Sequence, residues 1–124
     1  MNIEYLDHFV LTVQNIEQTC NFYQQVLGME VTTFGNRKAL KFGKQKINLH
    51  QINNQFSPVA ENPTVGSGDF CLITTTPLTE IIAHCERLGV AIISGIVKRT
   101  GANGTINSIY IRDPDGNLIE IANY

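Results

Sequence analysis

HFVLTVQNIEQTCNFYQQVLG at residues 8–28 and DFCLITTTPLTEIIAHCERLG at residues 69–89 follow one pattern, and this pattern decides the fold. Each stretch begins with alternating apolar residues, which are typical of a β-strand, and continues with apolar residues at helical spacing. Equivalent positions lie 61 residues apart, as His8 and Asp69 do, and as Gly28 and Gly89 do. The sequence therefore predicts two copies of a strand followed by a helix.

Both predicted helices have recognisable ends. In the first, Asn15 is the predicted N-cap, with a glutamine three residues later, and Gly28 supplies the left-handed residue that ends a helix. In the second, Thr76 is the predicted cap, Pro77 is the first helical residue and Gly89 is the stop.

Three β-type runs follow each helix, so each copy is predicted to be βαβββ. The runs are residues 29–34, 38–42 and 46–52 in the first copy, and residues 91–98, 106–112 and 117–122 in the second. His50 and Glu120 each close a last run and lie 70 residues apart, so the second copy is nine residues longer than the first. The Gly-rich stretch from Thr100 to Thr105 is the natural place for this excess. We predict one α+β domain with module one at 1–52, a linker at 53–68 and module two at 69–124.

The composition favours a globular protein that acts on small molecules. The chain has 124 residues, 43% hydrophobic and 16% charged, with a net charge of -2 and no basic run, which excludes a nucleic-acid footprint. No apolar stretch is long enough for a membrane span and the start does not resemble a signal peptide, so we expect a cytoplasmic protein. Cys20, Cys71 and Cys85 lack metal-binding spacing and are predicted to be reduced packing residues.

Alternation along the predicted strands places several ionisable side chains on the face away from the helices. His8, His50, Asp69 and Glu120 fall on this face, while Leu11 and similar residues fall on the face that packs a helix. Two imidazoles and one or two carboxylates are ligands that Fe(II), Mn(II), Ni(II) or Zn(II) accepts. From the residues alone, the alternative is that these are ordinary polar residues near strand ends.

Three motifs make the chain similar to a known family. They are H-x-x-L-x-V at His8 to Val13, F-Y-x-x-V-L-G-M at Phe22 to Met29, and I-R-D-P-D-G-N-L-I-E-I at Ile111 to Ile121. Together they resemble the vicinal oxygen chelate superfamily, which includes glyoxalase I, bleomycin resistance proteins and extradiol dioxygenases. The resemblance covers nearly the whole chain, and its most specific part is the segment from Asp113 to Glu120.

The resemblance implies a fold and a metal site. Two βαβββ modules would form a curved mixed sheet with a central cavity that binds one divalent metal ion, and the chain would be a homodimer with sites involving both chains. By position, His8, His50 and Glu120 match ligand slots, and Asp69 falls on the fourth. Glyoxalase I presents His, Glu, His and Glu in these slots, so His50 and Asp69 depart from its pattern. Glu120 is also implied as the catalytic carboxylate, and Tyr110 as a residue that lines the substrate cavity.

Several activities follow from the resemblance. A metal-dependent lyase or isomerase of the glyoxalase I type, acting on a thiol adduct, is the first expectation. An extradiol Fe(II) dioxygenase and a metal-dependent thiol transferase are alternatives, because a set of two His and one Glu resembles theirs. A metal-free protein that sequesters a drug or metabolite is the third, although the absence of Trp leaves few aromatic cleft walls.

Overall fold

The structure is a computed structural model of residues 1–124. The chain forms two compact units, Met1–Gly66 and Ser67–Tyr124. Both units are βαβββ, which confirms the predicted two-module α+β architecture. The elements of the first unit are β1 (His8–Val13), α1 (Ile16–Leu27), β2 (Glu30–Phe34), β3 (Arg37–Phe42) and β4 (Gln45–Gln51). Those of the second are β5 (Asp69–Ile73), α2 (Leu78–Arg87), β6 (Ser94–Gly101), β7 (Gly104–Arg112) and β8 (Leu118–Asn123).

Each unit has its own four-stranded mixed sheet. The strand orders are β1-β4-β3-β2 and β5-β8-β7-β6, and in both sheets the first two strands are parallel while the other pairs are antiparallel. A parallel pair needs a crossover connection, and the segment that contains the helix starts that crossover. The repeated sequence pattern therefore corresponds to two sheets of identical topology.

One face of each sheet is buried and the other carries exposed side chains. In the first unit Leu11, Val13 and Tyr23 are buried, and α1 packs against β2, β3 and β4. Val10 on β1 and Ile73 on β5 lie on the other face, away from the helix of their unit, and are 45% and 52% exposed. We call this opposite side the helix-free face of each sheet. Neither helix is long and apolar enough to cross a membrane.

The helix ends follow the predictions in α1 but not at the start of α2. Asn15 Oδ1 accepts a hydrogen bond from the N–H three residues on, at 2.9 Å, and Gly28 has a φ of 67°. In α2 the N-cap is Pro77 and no side chain caps the helix, so the predicted Thr76 cap is wrong. The N–H of Thr76 is instead bound to the hydroxyl of Thr74 at 3.1 Å, because threonine offers the backbone a local partner outside the helix.

The Gly-rich stretch is the tip of a hairpin rather than a loop. Thr100 pairs with Thr105 and Gly101 pairs with Gly104, so that only two residues form the turn. β6 and β7 have 8 and 9 residues, against 5 and 6 in β2 and β3. The additional length of the second unit therefore goes partly into longer strands.

Candidate functional site

The segment from Asp113 to Asn117 is a hydrogen-bonded turn that positions β8. Both end residues are buried, and Asp113 Oδ1 accepts bonds from the backbone N–H of Asp115 at 2.9 Å and of Asn117 at 3.0 Å. Its other oxygen accepts from Asn117 Nδ2 at 2.7 Å. The most family-specific motif therefore has a structural role, since a buried carboxylate is satisfied by donors that the turn itself supplies.

The same turn links β8 to the start of β5. Asn117 Oδ1 accepts a bond from Gly68 N–H at 2.7 Å, and Leu118 N–H donates to Gly68 O at 2.9 Å. These bonds lie directly before the first parallel pair, Asp69 with Leu118. They fix a register in which Cys71 lies opposite Glu120, so the turn determines which side chains adjoin the candidate catalytic carboxylate.

Glu120 is held from two sides on the helix-free face of the second sheet. The hydroxyl of Ser108 donates to Glu120 Oε2 at 2.5 Å, and the thiol of Cys71 is also hydrogen-bonded to this carboxylate. Although Cys71 as a whole is exposed, its thiol is partly shielded from water, and this desolvation, followed by the charge and the hydrogen bond of Glu120, raises its pKa to about 11. A carboxylate has about four lone-pair positions, so Glu120 retains acceptor capacity for a ligand.

Tyr110 lies beside Glu120 and is in contact with the guanidinium of Arg99. The two residues are paired between β7 and β8, and Arg99 Nε donates to the Tyr110 hydroxyl at 3.0 Å while its Cζ lies 5.6 Å from the centroid of the ring. A pocket of about 370 Å³ opens on this face. The residues that line it are Cys71, Ile73, Arg99, Thr100, Gly101, Ala102, Ile106, Glu120 and Tyr124.

His8 begins β1 and is oriented by its neighbour. Its Nδ1 lies 2.7 Å from Asp7 Oδ2, and the imidazole is 46% exposed. This contact leaves Nε2 available. A carboxylate on one ring nitrogen with the other nitrogen free is the arrangement found in metal-binding histidines, so His8 fits the chemistry of a ligand.

His50 is in a different environment. It is 5% exposed, and its ring packs edge-on against Phe56 with centroids 5.7 Å apart. Burial and the nearby guanidinium of Arg37 lower its pKa. Both effects favour the neutral imidazole, which is the form that binds a metal ion, although the ring adjoins a cation.

The strand register changes the internal correspondence between the two modules. His8 pairs with Lys46 as Asp69 pairs with Leu118, so the counterpart of Glu120 is Asn48 and not His50. Asn48 and Glu120 are 72 residues apart, against 61 for His8 and Asp69, so module two is longer by eleven residues rather than the predicted nine.

The predicted ligands are divided between the units. In the first, His8 and His50 share a face but lie four register positions apart, about 13 Å along the strands, and are not brought together. In the second, Asp69 and Glu120 share a face two positions apart, about 7 Å. Neither unit by itself gathers three or more His, Cys, Asp or Glu side chains into a metal site. The donor types of His8, Asp69 and Glu120 fit a divalent ion, and the ligand set itself stays a prediction.

Reasoning from the sequence missed Cys71, Ser108, Arg99 and Asn48. Cys71 was predicted to be a packing residue like the other two cysteines, but it is exposed while Cys20 and Cys85 are buried. Cys71 is two residues after Asp69 on β5, so alternation places both side chains on the same face, and this was the available signal. The other three depend on pairing between strands, which the sequence does not display.

A family model, curated proteins and solved structures were compared with this chain, and all three match nearly its whole length. The model of the glyoxalase/bleomycin resistance protein/dioxygenase superfamily matches residues 5–121. The chain is 55% identical over 125 residues to virulence protein STM3117 of Salmonella typhimurium, covering 100% of this chain and 87% of that protein. The crystal structure of the Salmonella protein has a TM-score of 0.98 at 54% identity, with coverage of 100% and 99%.

Two other relatives cover the full chain. Integron cassette protein VCH_CASS1 of V. cholerae has a solved structure with a TM-score of 0.98 at 58% identity, covering 100% of this chain and 98% of that one. Glyoxalase domain-containing protein RDO1 of Mycosarcoma maydis is 46% identical over 125 residues, covering 100% of this chain and 70% of that protein. A lactoylglutathione lyase from Agrobacterium tumefaciens and the antibiotic binding protein TnmS3 from Streptomyces, at 23% and 21% identity, share the fold alone.

Proposed function

This chain belongs to the glyoxalase/bleomycin resistance protein/dioxygenase superfamily, and we propose that it is a divalent-metal-dependent enzyme that acts on a small molecule through neighbouring oxygen atoms. The observation that carries the proposal is Glu120, a half-buried carboxylate held by Ser108 and Cys71 beside a pocket of about 370 Å³. A carboxylate fixed in this way is preorganised for a ligand, because it loses little side-chain freedom when the ligand binds.

The proposed metal ligands are His8 and Glu120, with Asp69 and His50 as the further predicted members. Asn48 is the competing residue on β4, because it is the register counterpart of Glu120 and its Oδ1 is buried without a hydrogen-bond partner. A bound divalent ion would supply Lewis acidity toward adjacent oxygens of the substrate. Asp7 and Ser108 orient the two first-named ligands through the bonds described above.

The proposed reaction is of the glyoxalase I type, in which a proton moves between neighbouring carbons of a thiol adduct. Glu120 would accept and return that proton, since it is the one carboxylate in the pocket. Arg99 and Tyr110 would bind the substrate: the Nε of Arg99 already donates to the phenol, which leaves the outer guanidinium nitrogens as donors to a substrate oxygen. Dioxygenase and thiol transferase activities require separate assays.

We also propose that the chain is a homodimer. β1 and β5 are edge strands of their sheets, and each presents an exposed apolar residue on its helix-free face, Val10 and Ile73. Edge strands and apolar side chains of this kind are commonly covered in an assembly.

A second function is a metal-free sequestering protein. It is supported by the pairing of Arg99 with Tyr110, which forms a cationic and aromatic wall without any metal. Such a wall can hold a planar or anionic ligand by stacking and charge. The two functions differ in their need for His8 and Glu120, which only the metal-dependent enzyme requires.

The test is elemental analysis of protein purified without chelator, followed by turnover assays with the metal found. We expect one divalent ion per chain in the wild type and loss of metal in His8→Ala and Glu120→Ala. Comparison of Asn48→Ala with His50→Ala identifies the ligand on β4. Glu80→Ala, an exposed carboxylate on α2, is the matched control and should keep its metal. Protein that binds no metal even after reconstitution would contradict the enzyme proposal and favour the sequestering function.

A further inference from the structure

The pocket beside Glu120 extends along the second sheet as far as Tyr124. Both residues line the pocket, and they are four residues apart, so alternation directs both side chains away from the helix. At about 3.3 Å per residue, their backbones are roughly 13 Å apart along the strand. The pocket therefore has the proposed catalytic carboxylate at one end and an aromatic ring at the other.

The middle of the pocket is apolar. Ala122 lies between the two ends on this face of β8 and is fully buried, between Ile73 of β5 and Ser108 of β7. The hydroxyl of Ser108 is already donated to Glu120. Ile73 and Ile106 line the pocket with aliphatic side chains. A ligand that spans the pocket would therefore cover apolar surface with its middle part, where a polar group would lose water without gaining a partner.

The charged groups of the pocket are engaged toward the Glu120 end. Glu120 and Arg99 are the charged residues that line the pocket. Arg99 Nε donates to the hydroxyl of Tyr110 at 3.0 Å, and its Nη1 donates to the carbonyl of Lys98 at 3.0 Å. Tyr110 is the residue on β7 that pairs with Glu120. The guanidinium is therefore bonded to the neighbour of the carboxylate and not to Tyr124.

Tyr124 forms the other end of the pocket together with the tip of the β6–β7 hairpin. Its hydroxyl accepts a hydrogen bond from the N–H of Asn103 at 2.9 Å, so the ring reaches from the end of β8 to the hairpin turn. Gly101 and Ala102 line the pocket beside the ring. A Cβ on Gly101 would lie 2.6 Å from the Tyr124 hydroxyl, which only glycine avoids. The ring and the hairpin tip are therefore in close contact at this end.

We propose that Tyr124 determines the length of the substrate, which carries neighbouring oxygen atoms at the Glu120 end and an apolar tail that stops at the Tyr124 ring. The inference rests on the part of the proposed function that places the oxygens of the substrate at Glu120. Each methylene that the tail adds inside the pocket should raise affinity about fourfold, because it removes apolar surface from water. A tail that is longer than the distance to the ring should gain nothing more.

The test is a titration of the full-length, isotope-labelled protein with vicinal diols built on butane, hexane, octane and decane, followed by amide NMR. These neutral probes carry two neighbouring oxygens at one end of an alkyl chain, and the oxygens can bind a metal ion or donate to the carboxylate of Glu120. The protein is measured as purified and again after removal of metal. In the wild type we expect affinity to rise with chain length and to stop rising before the decane diol. Tyr124→Ala should bind the butane diol as the wild type does and the decane diol about tenfold more tightly or better.

Two further variants separate the ring from its hydrogen bond and from the hairpin. Tyr124→Phe keeps the ring and loses the bond to Asn103, so the length limit should remain while the amide hydrogen of Asn103 exchanges faster. Lys98→Ala is the control, since Lys98 pairs with Asn107 on the opposite face of the hairpin, and it should bind every diol as the wild type does.

The outcomes distinguish the length limit from the metal-dependent reaction. The same dependence on chain length in Tyr124→Ala and the wild type would overturn the inference, as would weaker binding of all diols by one common factor or no binding of any diol. A length limit that is present in metal-free protein and lost in Tyr124→Ala supports the inference even if the protein proves to bind no metal. Bound metal without a length limit would contradict the inference and leave the proposed function standing.

Discussion

Asn117 joins the turn before β8 to the start of β5, and its truncation should destabilise the protein strongly. Asn117→Ala removes a bond to the carboxylate of Asp113, at 2.7 Å, and a bond from Gly68 N–H, at 2.7 Å. A bond to a charged group contributes about 1.5–3 kcal/mol and a neutral one about 1 kcal/mol. Because Asn117 is only 1% exposed, water cannot replace either bond. The expected loss in the free energy of unfolding is about 3 kcal/mol.

This loss converts into a measurable melting temperature. For 124 residues the entropy of unfolding is about 260 cal/mol/K, so about 3 kcal/mol lowers Tm by roughly 10 °C. The assay is thermal unfolding followed by circular dichroism, with urea unfolding as a second measurement. Asn107→Ala is the matched control, because Asn107 is exposed on β7 and makes no side-chain hydrogen bond. A Tm for Asn117→Ala within about 2 °C of that control would refute the structural role of the turn.

Three further predictions concern Cys71, Gly101 and His50. At pH 8 iodoacetamide should alkylate Cys71 slowly because its pKa is about 11, and Glu120→Gln should speed alkylation several-fold by removing a negative charge and a hydrogen bond. Gly101→Ala should cost about 1–2 kcal/mol, because the added Cβ would lie 2.6 Å from the hydroxyl of Tyr124 and displace its bond to the hairpin tip. Because burial lowers the folded pKa of His50, the unfolded chain binds its proton first as pH falls, and stability should fall below about pH 6.5. His50→Gln should lose that component of the pH dependence in urea unfolding.

Each of these predictions has a result that contradicts it. Rapid alkylation of Cys71 in the wild type would mean that its thiol is not held by the carboxylate. Gly95→Ala is the control for the hairpin, since a Cβ there meets nothing within 4 Å, and equal stability of the two variants would exclude the clash. A pH profile unchanged by the substitution of His50 would mean that its imidazole titrates normally.

Much of the fold was predictable from local chemistry. The alternation in residues 8–13 and 69–73, and the Asn15 and Gly28 signals of α1, depend on neighbours close in sequence and are confirmed. The start of α2 was misplaced because Thr74 and Thr76 bond to each other ahead of the helix. Local competition of this kind is decided by side-chain geometry, which residue types alone do not specify.

The site was less predictable, because register belongs to a pair of strands. In the sequence, His50 and Glu120 look equivalent because each closes the last strand of its module. The strand registers show that the equivalent of Glu120 in the first module is Asn48. Asn48 and His50 are two residues apart and therefore lie on the same face of β4. The alternation of apolar and polar residues cannot distinguish between them. The environment of Glu120 depends likewise on Ser108 and Cys71, which reach it from two different strands.

The most direct test of the central claim is calorimetric titration of the metal-free protein with Zn²⁺ and Ni²⁺. We predict one ion per chain, loss of tight binding in Glu120→Ala, and affinity about 10- to 100-fold weaker in Ser108→Ala, because Ser108 orients the carboxylate without being a ligand. Glu80→Ala should bind as the wild type does. Equal affinity in the wild type and Glu120→Ala would contradict the account, since Glu120 would then have no part in holding the metal.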